Sequence, residues 1–380
     1  MGPKGGEACR GFPLPASLRV KSTIDKRSAA VLNCQGTKHG SRRLKTGCGL
    51  MKLLILNAFA HFLTDAVCAA ALFGPIAAAG GDFSFALIIY NTVAFTAQCV
   101  AGMLMDALRR HERLAALGLA VCALGALLPL PGLAAAALVG LGNCIFHVAG
   151  GTVTLKGSSS AGPLGVFVAP GAVGLALGTL WPGLRLWFCA AALAAASLMW
   201  LAARGEPELK RLKPSRHVPW GAVAALTLAV AVRAIGGCAA EFPWKTGAAM
   251  SLVTALFVFA GKSLGGLVCD KAAPTRTALI SIPAAAVLTA FCAAWAAPAL
   301  AGQLLVNLTM PVTLWLIYRA MPDSPGFAFG LAAAALWPGT LAGQLISLTG
   351  AWNSVLIIAS FAAGLAAIIY AEKKLSEVPV

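Results

Sequence analysis

Charge is what this sequence has little of. Asp, Glu, Lys and Arg together make up 11% of the 380 residues, against 59% apolar types and a mean hydropathy of +0.82. That balance excludes an ordinary soluble globular domain. Paired cysteines are missing too: the eleven present are scattered without a C-x-x-C, and they read as small apolar helix residues. H-E-x-x-H does not occur, and an enzyme is not expected. Residues 1–50 hold no apolar core of the kind a signal peptide needs. Asn307-Leu308-Thr309 matches the glycosylation pattern but falls inside a predicted helix, where no transferase would reach it.

What is present is a series of apolar runs of membrane-spanning length. A hydrocarbon core about 30 Å thick takes roughly 20 helical residues to cross. Twelve segments satisfy this, near 52–76, 84–105, 114–130, 133–155, 163–183, 185–203, 219–240, 247–269, 277–295, 298–319, 326–348 and 351–371. Several are separated only by a Pro/Gly break, as at Pro129–Gly132 and Trp181–Gly183. The expected fold class is an all-α membrane protein of twelve transmembrane helices, with the lipid bilayer as its surroundings.

The scarce charges are unevenly placed. Beyond residue 50, fourteen Lys and Arg fall in one set of alternate loops and the C-terminal tail, among them Arg109, Arg110 and Arg113; the opposite set holds only Arg185 and Lys245. Cytoplasmic loops retain such residues, so both ends of the membrane region are expected in the cytoplasm. The formal charge of +16 then reads as topology, and no nucleic-acid partner is expected. Residues 1–50 are polar, carry ten of the 29 Lys and Arg, and predict disorder. They read as a cytoplasmic tail, as translated sequence upstream of a natural start at Met51, or as an organelle transit peptide. Compact loops leave no extracellular domain, which points to a bacterial inner membrane.

Transporters are often built from duplicated six-helix halves joined by a longer cytoplasmic loop. The longest loop here lies at 204–218, and a shift of 164 residues lays Gly102 on Gly266, Asp106 on Asp270, Gln98 on Lys262, Asn143 on Asn307 and Gly162 on Gly326. The matches share one offset and bracket the basic loop, which indicates a 6+6 duplication. The expected domains are a leader at 1–50, bundles at 51–203 and 219–371 with the loop 204–218 between them, and a tail at 372–380.

The stretch Ala101-Gly102-Met103-Leu104-Met105-Asp106-Ala107-Leu108-Arg109-Arg110 resembles the loop 2–3 signature of the major facilitator superfamily. Gly266 to Arg276 resembles its degenerate copy in the second half. Gly165, Pro170, Gly171, Gly174 and Gly178 belong to a stretch similar to the Gly/Pro-rich fifth-helix pattern of antiporters in that family. His61-Phe62-Leu63-Thr64-Asp65 and Gly142-Asn143-Cys144-Ile145-Phe146-His147 resemble motifs of its fosmidomycin-resistance-like branch. The superfamily resemblance spans residues 52–371. It implies two pseudo-symmetric bundles working by alternating access, with Gly102, Asp106, Arg109, Arg110, Gly266 and Asp270 as conformational switch elements. The branch resemblance implies efflux. Two positions depart from the pattern: Ala107 stands where the family usually has Arg, weakening a salt-bridge clamp, and Val148 where the branch often has Pro.

Charged groups in hydrocarbon cost at least about 2.5–3.5 kcal/mol each, so they usually face a protein interior or an aqueous path. At about 1.5 Å per residue, Asp65, Asn143, Arg233 and Asn307 all fall about 20 Å from the cytoplasmic end of their helices, and His61, Gln98, His147 and Lys262 about 12–14 Å. This layer is the candidate substrate cavity. His61 and Asp65 are four apart, as are Asn143 and His147, so each pair shares a helix face. A carboxylate beside an imidazole can hold and release a proton near neutral pH, which makes Asp65, His61 and His147 the candidate proton-coupling residues.

Arg233 is expected to neutralise Asp65 or to bind an anionic substrate group, with Lys262 as the second cation. Plainer readings stand beside these: a static Asp65–Arg233 ion pair, and interhelical hydrogen bonding by His147 and Asn143. The glycines at 140–151 and 165–178 read as close-packing surfaces. His61, Asp65 and His147 give three metal ligands without a fourth, so no metal is expected, and no cofactor either. The expected partners are a small anionic or zwitterionic solute and protons, handled by a monomer. Proton-coupled efflux and proton-coupled uptake share every one of these charges.

Overall fold

The computed structural model describes residues 38–79, 81–108, 110–203 and 217–377, with side chains described from residue 51 onward. By contact it divides into Met1–Gly49 and Leu50–Val380, and the described residues of the second unit form twelve helices. These are α1 (Met51–Ile76), α2 (Phe83–Ala107), α3 (His111–Leu127), α4 (Gly132–Lys156), α5 (Gly162–Leu180), α6 (Pro182–Ala202), α7 (Trp220–Cys238), α8 (Gly247–Ala272), α9 (Pro274–Phe291), α10 (Ala296–Ala320), α11 (Pro325–Leu345) and α12 (Gly350–Glu377). Eleven have the length and composition of a membrane span, and α3, at 17 residues, is still about 26 Å long. The chain is an all-α, integral multi-pass membrane protein whose halves, α1–α6 and α7–α12, repeat one arrangement.

Helix boundaries differ from the expected ones where polar residues join a helix that hydropathy alone would stop. The third helix was expected at 114–130 and runs from His111 to Leu127, because His111, Glu112 and Arg113 form its first turn and Pro129 and Pro131 follow its end. The ninth starts at Pro274, three residues early, with proline in the first-turn position it tolerates. The last helix continues to Glu377, so most of the expected tail is helical. The backbone of the first helix is described from Lys38 onward, and residues 1–37 of the expected leader lie outside the described residues. Arg109 and most of the 204–218 loop lie outside the described residues.

Close packing answers to glycine. On α4, a Cβ at Gly142 would sit 2.5 Å from the backbone nitrogen of Cys122 on α3, so these two helices touch backbone to backbone. One face further along α4, the ring of Phe329 from α11 occupies the place where Gly151 would carry a side chain.

Four helices are interrupted near their middles. The regular helix of α5 breaks at Ala169 before Pro170, that of α10 at Leu308 and that of α11 at Ala335, while α2 widens into a π-helical turn at Thr92–Thr96. Interrupted helices free backbone groups and are tolerated in membranes where they line a cavity. All four face the cavity described next.

Candidate functional site

Between the halves lies a cavity of about 440 Å³, within the range of small-molecule sites. One wall comes from α1, α2, α4 and α5, the other from α7, α8, α10 and α11. The first carries His61, Asp65, Gln98, His147 and Gly171; the second carries Arg233, Lys262 and Asn307.

The histidines and the carboxylate converge. His61 Nε2 lies 2.9 Å from His147 Nε2. Asp65 Oδ2 is 3.4 Å from His61 Nε2, and its Oδ1 is 3.7 Å from His147 Nε2. The other ring nitrogens are already engaged: His61 Nδ1 is 2.8 Å from the carbonyl of Phe167, and His147 Nδ1 is 3.0 Å from the carbonyl of Asn143. A carbonyl oxygen only accepts, so each Nδ1 carries its hydrogen and donates. In the neutral imidazoles both Nε2 atoms then present lone pairs to one another.

The fifth helix explains how His61 is held. The helix breaks at Ala169 before Pro170, and in the last turn before the break the Phe167 carbonyl accepts the His61 hydrogen. Gly171, one residue further, keeps the space over the triad clear: a methyl there would collide with both the Asp65 carboxylate and the His61 ring. Gly174 and Gly178 bring α5 against α1 in the same way, and Gly165 meets the backbone of Lys262 on α8.

Two expectations are corrected. The Asp65–Arg233 ion pair does not form in this structure: Asp65 is met by the two histidines, and the Arg233 guanidinium donates to Thr309 Oγ1 at 3.2 Å. The reason is placement, since α1 and α4 pack together within one half while Arg233 stands on the facing wall. Asn143, expected in the cavity, is 1% exposed and sits behind the triad. Its Nδ2 lies 3.4 Å from Asp65 Oδ1 and 3.2 Å from the hydroxyl of Tyr90, so it orients the carboxylate from the protein side.

The remaining predicted residues divide. Lys262 reaches the cavity and, among the described residues, has no hydrogen-bonded or ion-paired partner. Asn307 and Gln98 line the cavity too, but each spends its amide on its own helix, Asn307 on Gln303 at 2.8 Å and Gln98 on Ala94 at 2.6 Å. Sequence reasoning missed Tyr90, the Phe167 carbonyl and Phe329. Tyr90 had a signal, a phenol in the apolar second span; the other two act through a backbone atom and a ring, which carry none.

The switch residues lie at one end of the bundle. Asp106, at the end of α2, accepts from the backbone N–H groups of Gly326 and Phe327 at 2.7 and 2.8 Å, which open α11 in the other half. Asp270, at the end of α8, accepts from Ala161 and Gly162 at 2.7 and 2.9 Å, which open α5. The glycines permit this approach: a Cβ at Gly102 or Gly266 would strike the backbone of the partner helix. Arg110 adopts φ 70° in the turn between α2 and α3, where it is exposed and forms the N-cap of α3. Just inside this closed end, Phe329 of α11 meets Phe167 of α5 edge to face, with ring centres 6.1 Å apart. The cavity therefore ends at an aromatic contact backed by two latches.

No family model and no curated protein sequence matches the chain. Solved structures do. The Escherichia coli fucose:proton symporter FucP aligns over 85% of this chain and 99% of its own, with 12% identity and a TM-score of 0.59. FucP in an outward conformation, described as a major facilitator superfamily transporter, aligns over the same shares at 12% identity and a TM-score of 0.61. A bacterial homologue of the iron transporter ferroportin, in an outward-facing state, aligns over 86% of this chain and 98% of its own, with 13% identity and a TM-score of 0.56. The chain has the major facilitator fold.

Proposed function

We propose that this protein is a secondary active transporter that moves a small anionic or zwitterionic solute by alternating access, driven by protons held among His61, His147 and Asp65. The observation that carries the reading is the 2.9 Å contact between two Nε2 atoms whose Nδ1 hydrogens are committed elsewhere. Two facing lone pairs at that distance repel, and a single proton between them turns repulsion into a charge-assisted hydrogen bond. Asp65 offsets the added positive charge. Such a proton is held in the membrane interior beside a cavity, the position coupling requires.

Arg233 and Lys262 on the facing wall supply two positive charges for an anionic group, and the Arg fork suits a carboxylate or phosphate. With the latch end in the cytoplasm, as the Lys and Arg distribution favours, the cavity described above belongs to the outward-facing state. Efflux is the direction favoured by the glycine-rich fifth helix and by the resemblance of the two histidine motifs to the fosmidomycin-resistance-like branch. Uptake by symport is the second reading; likeness of fold to a fucose:proton symporter speaks for it. A non-transporting enzyme or receptor has no use for two reciprocal latches.

The test is substrate-evoked proton flux in proteoliposomes, comparing wild type with Asp65→Asn across a panel of small anions and drug-like compounds under inward and outward pH gradients. Coupled flux in wild type that is lost in Asp65→Asn supports the reading, and the effective gradient direction gives antiport or symport. Solute flux without protons overturns the coupling assignment.

A further inference from the structure

The triad is built like a metal site. Metal-ligating histidines characteristically donate their second ring N–H to a backbone carbonyl or carboxylate, which fixes the tautomer and aims the other nitrogen's lone pair. Both histidines here do this, through the carbonyls of Phe167 and Asn143. Asp65 is likewise held from outside the set by Asn143 Nδ2, itself in contact with Tyr90. The ligand atoms of His61, Asp65 and His147 all lie within 4.8 Å of one another.

The spacing can be checked against a real ion. With Zn–N distances of about 2.0–2.1 Å and tetrahedral angles, two ligand atoms on one ion stand about 3.3 Å apart. The 3.4 Å from Asp65 Oδ2 to His61 Nε2 fits this, and the 3.7 Å to His147 Nε2, made by the other oxygen Oδ1, closes by about 0.4 Å on binding. The 2.9 Å nitrogen to nitrogen contact needs the rings to part by about 0.4 Å. Three protein ligands leave a fourth position, and the most exposed of them, Asp65 at 19%, faces the cavity. Gly171 leaves that side clear.

A bare divalent cation would meet opposition there, because Arg233 and Lys262 line the same cavity from the facing half and like charges repel. A substrate with two poles removes the conflict: a metal ion for the histidine wall, and carboxylates, bound to that ion, for the cationic wall. Such a ligand also touches both halves at once, as an alternating-access substrate must.

We propose that His61 Nε2, His147 Nε2 and Asp65 coordinate a divalent transition-metal ion of the Zn²⁺, Co²⁺ or Ni²⁺ class, delivered as a chelate with a small polycarboxylate that Arg233 and Lys262 receive. This rests on the reading of the cavity as a transport site and names the class of its substrate. It also supplies a coupling mechanism. The metal and the shared proton need the same two lone pairs, so binding one expels the other, and counter-transport of proton and chelate follows from competition for one site.

The experiment uses the full chain purified in detergent and titrated with Co²⁺, alone and with equimolar citrate, while visible absorption is recorded. The expected result is one Co²⁺ per chain with the intense bands of four-coordinate cobalt, weakened at least tenfold in His61→Ala and His147→Ala. No sulfur-to-cobalt charge-transfer band should appear, which separates this site from the free cysteines. Citrate should tighten binding in wild type. In Arg233→Ala with Lys262→Ala, bare Co²⁺ should bind more tightly and the citrate effect should vanish.

Absence of cobalt binding by wild type overturns the proposal whatever the variants do, as does citrate binding equally well without metal. In either case, proton flux evoked by a metal-free anion and lost in Asp65→Asn would leave the transporter reading intact. Absence of any coupled flux, with cobalt bound at the triad, would instead remove transport and keep the metal site.

Discussion

Asp106 and Asp270, 164 positions apart, do the same thing to opposite helices: each carboxylate receives two backbone N–H groups at the start of a helix in the other half. Unpaired N–H groups and the positive end of the helix dipole make a helix start a good seat for a carboxylate. Because each pair joins the two halves, the two latches hold one end of the cavity shut rather than stabilising either half alone.

Breaking a latch should therefore shift the balance between conformations more than it lowers stability. A side-chain cap is worth about 0.5–2 kcal/mol, typically 1, so Asp106→Ala should move the balance toward the state open at the latch end by about fivefold. Asp106→Ala with Asp270→Ala should move it further. Distance distributions between spin labels on the latch-end termini of α2 and α11 measure this. Unchanged distributions in the double variant would show that the aromatic contact alone keeps that end closed.

The 164-residue repeat made the latches legible from sequence, because a carboxylate and a glycine four residues apart, copied once, mark two equivalent helix ends. The polar layer was legible for a different reason: charge in an apolar helix is costly, so each instance is informative. What the sequence could not supply was partnership. His61, Asp65, Asn143 and His147 belong to one polar layer, and depth alone does not say that three face the cavity while Asn143 turns away from it. The Asp65–Arg233 pair looked natural by charge, yet the two groups belong to different halves and Thr309 receives the guanidinium instead. The Phe167 carbonyl was beyond reach, since backbone atoms leave no mark in a list of side chains.

Gly171→Ala tests how tightly α5 seals the triad. The added methyl overlaps both the Asp65 carboxylate and the His61 ring, and overpacking of this kind costs about 1–3 kcal/mol. The expected outcome is a lowered thermal midpoint in detergent and proton-coupled flux reduced at least tenfold. Gly183→Ala, where a Cβ would meet nothing within 4 Å, serves as the control. Full activity in Gly171→Ala would mean that the triad relaxes freely and is not held by α5.

Phe329 should act as the inner plug. Its ring lies on Gly151 of α4 and meets, edge to face, Phe167, the residue whose carbonyl holds His61. Phe329→Ala should open a path past the histidines and produce proton leak in proteoliposomes without added solute. Gly151→Val should have the opposite origin and a related result, since the side chain and the ring cannot share one place and the closed-latch state is lost. Leak measured with a pH-sensitive dye separates the two: high in Phe329→Ala, low in Gly151→Val, with transport impaired in both. Tight vesicles with Phe329→Ala would assign the seal to the latches.

Tyr90 and Asn143 form the support behind Asp65, and their contributions should be unequal. Asn143 reaches both the carboxylate and the phenol, whereas Tyr90 touches the triad only through Asn143. An interhelical hydrogen bond in a membrane protein is worth about 0.6 kcal/mol on average, so Tyr90→Phe should lower coupled flux by no more than about threefold and leave the thermal midpoint nearly unchanged. Asn143→Leu removes the amide beside Asp65, frees the carboxylate to rotate, and should reduce coupled flux well beyond that while uncoupled solute movement persists. Flux measurements on the two variants and their combination decide the order. If Tyr90→Phe alone abolished proton movement, the phenol would have to carry the proton itself, on a path that leaves the triad through α2.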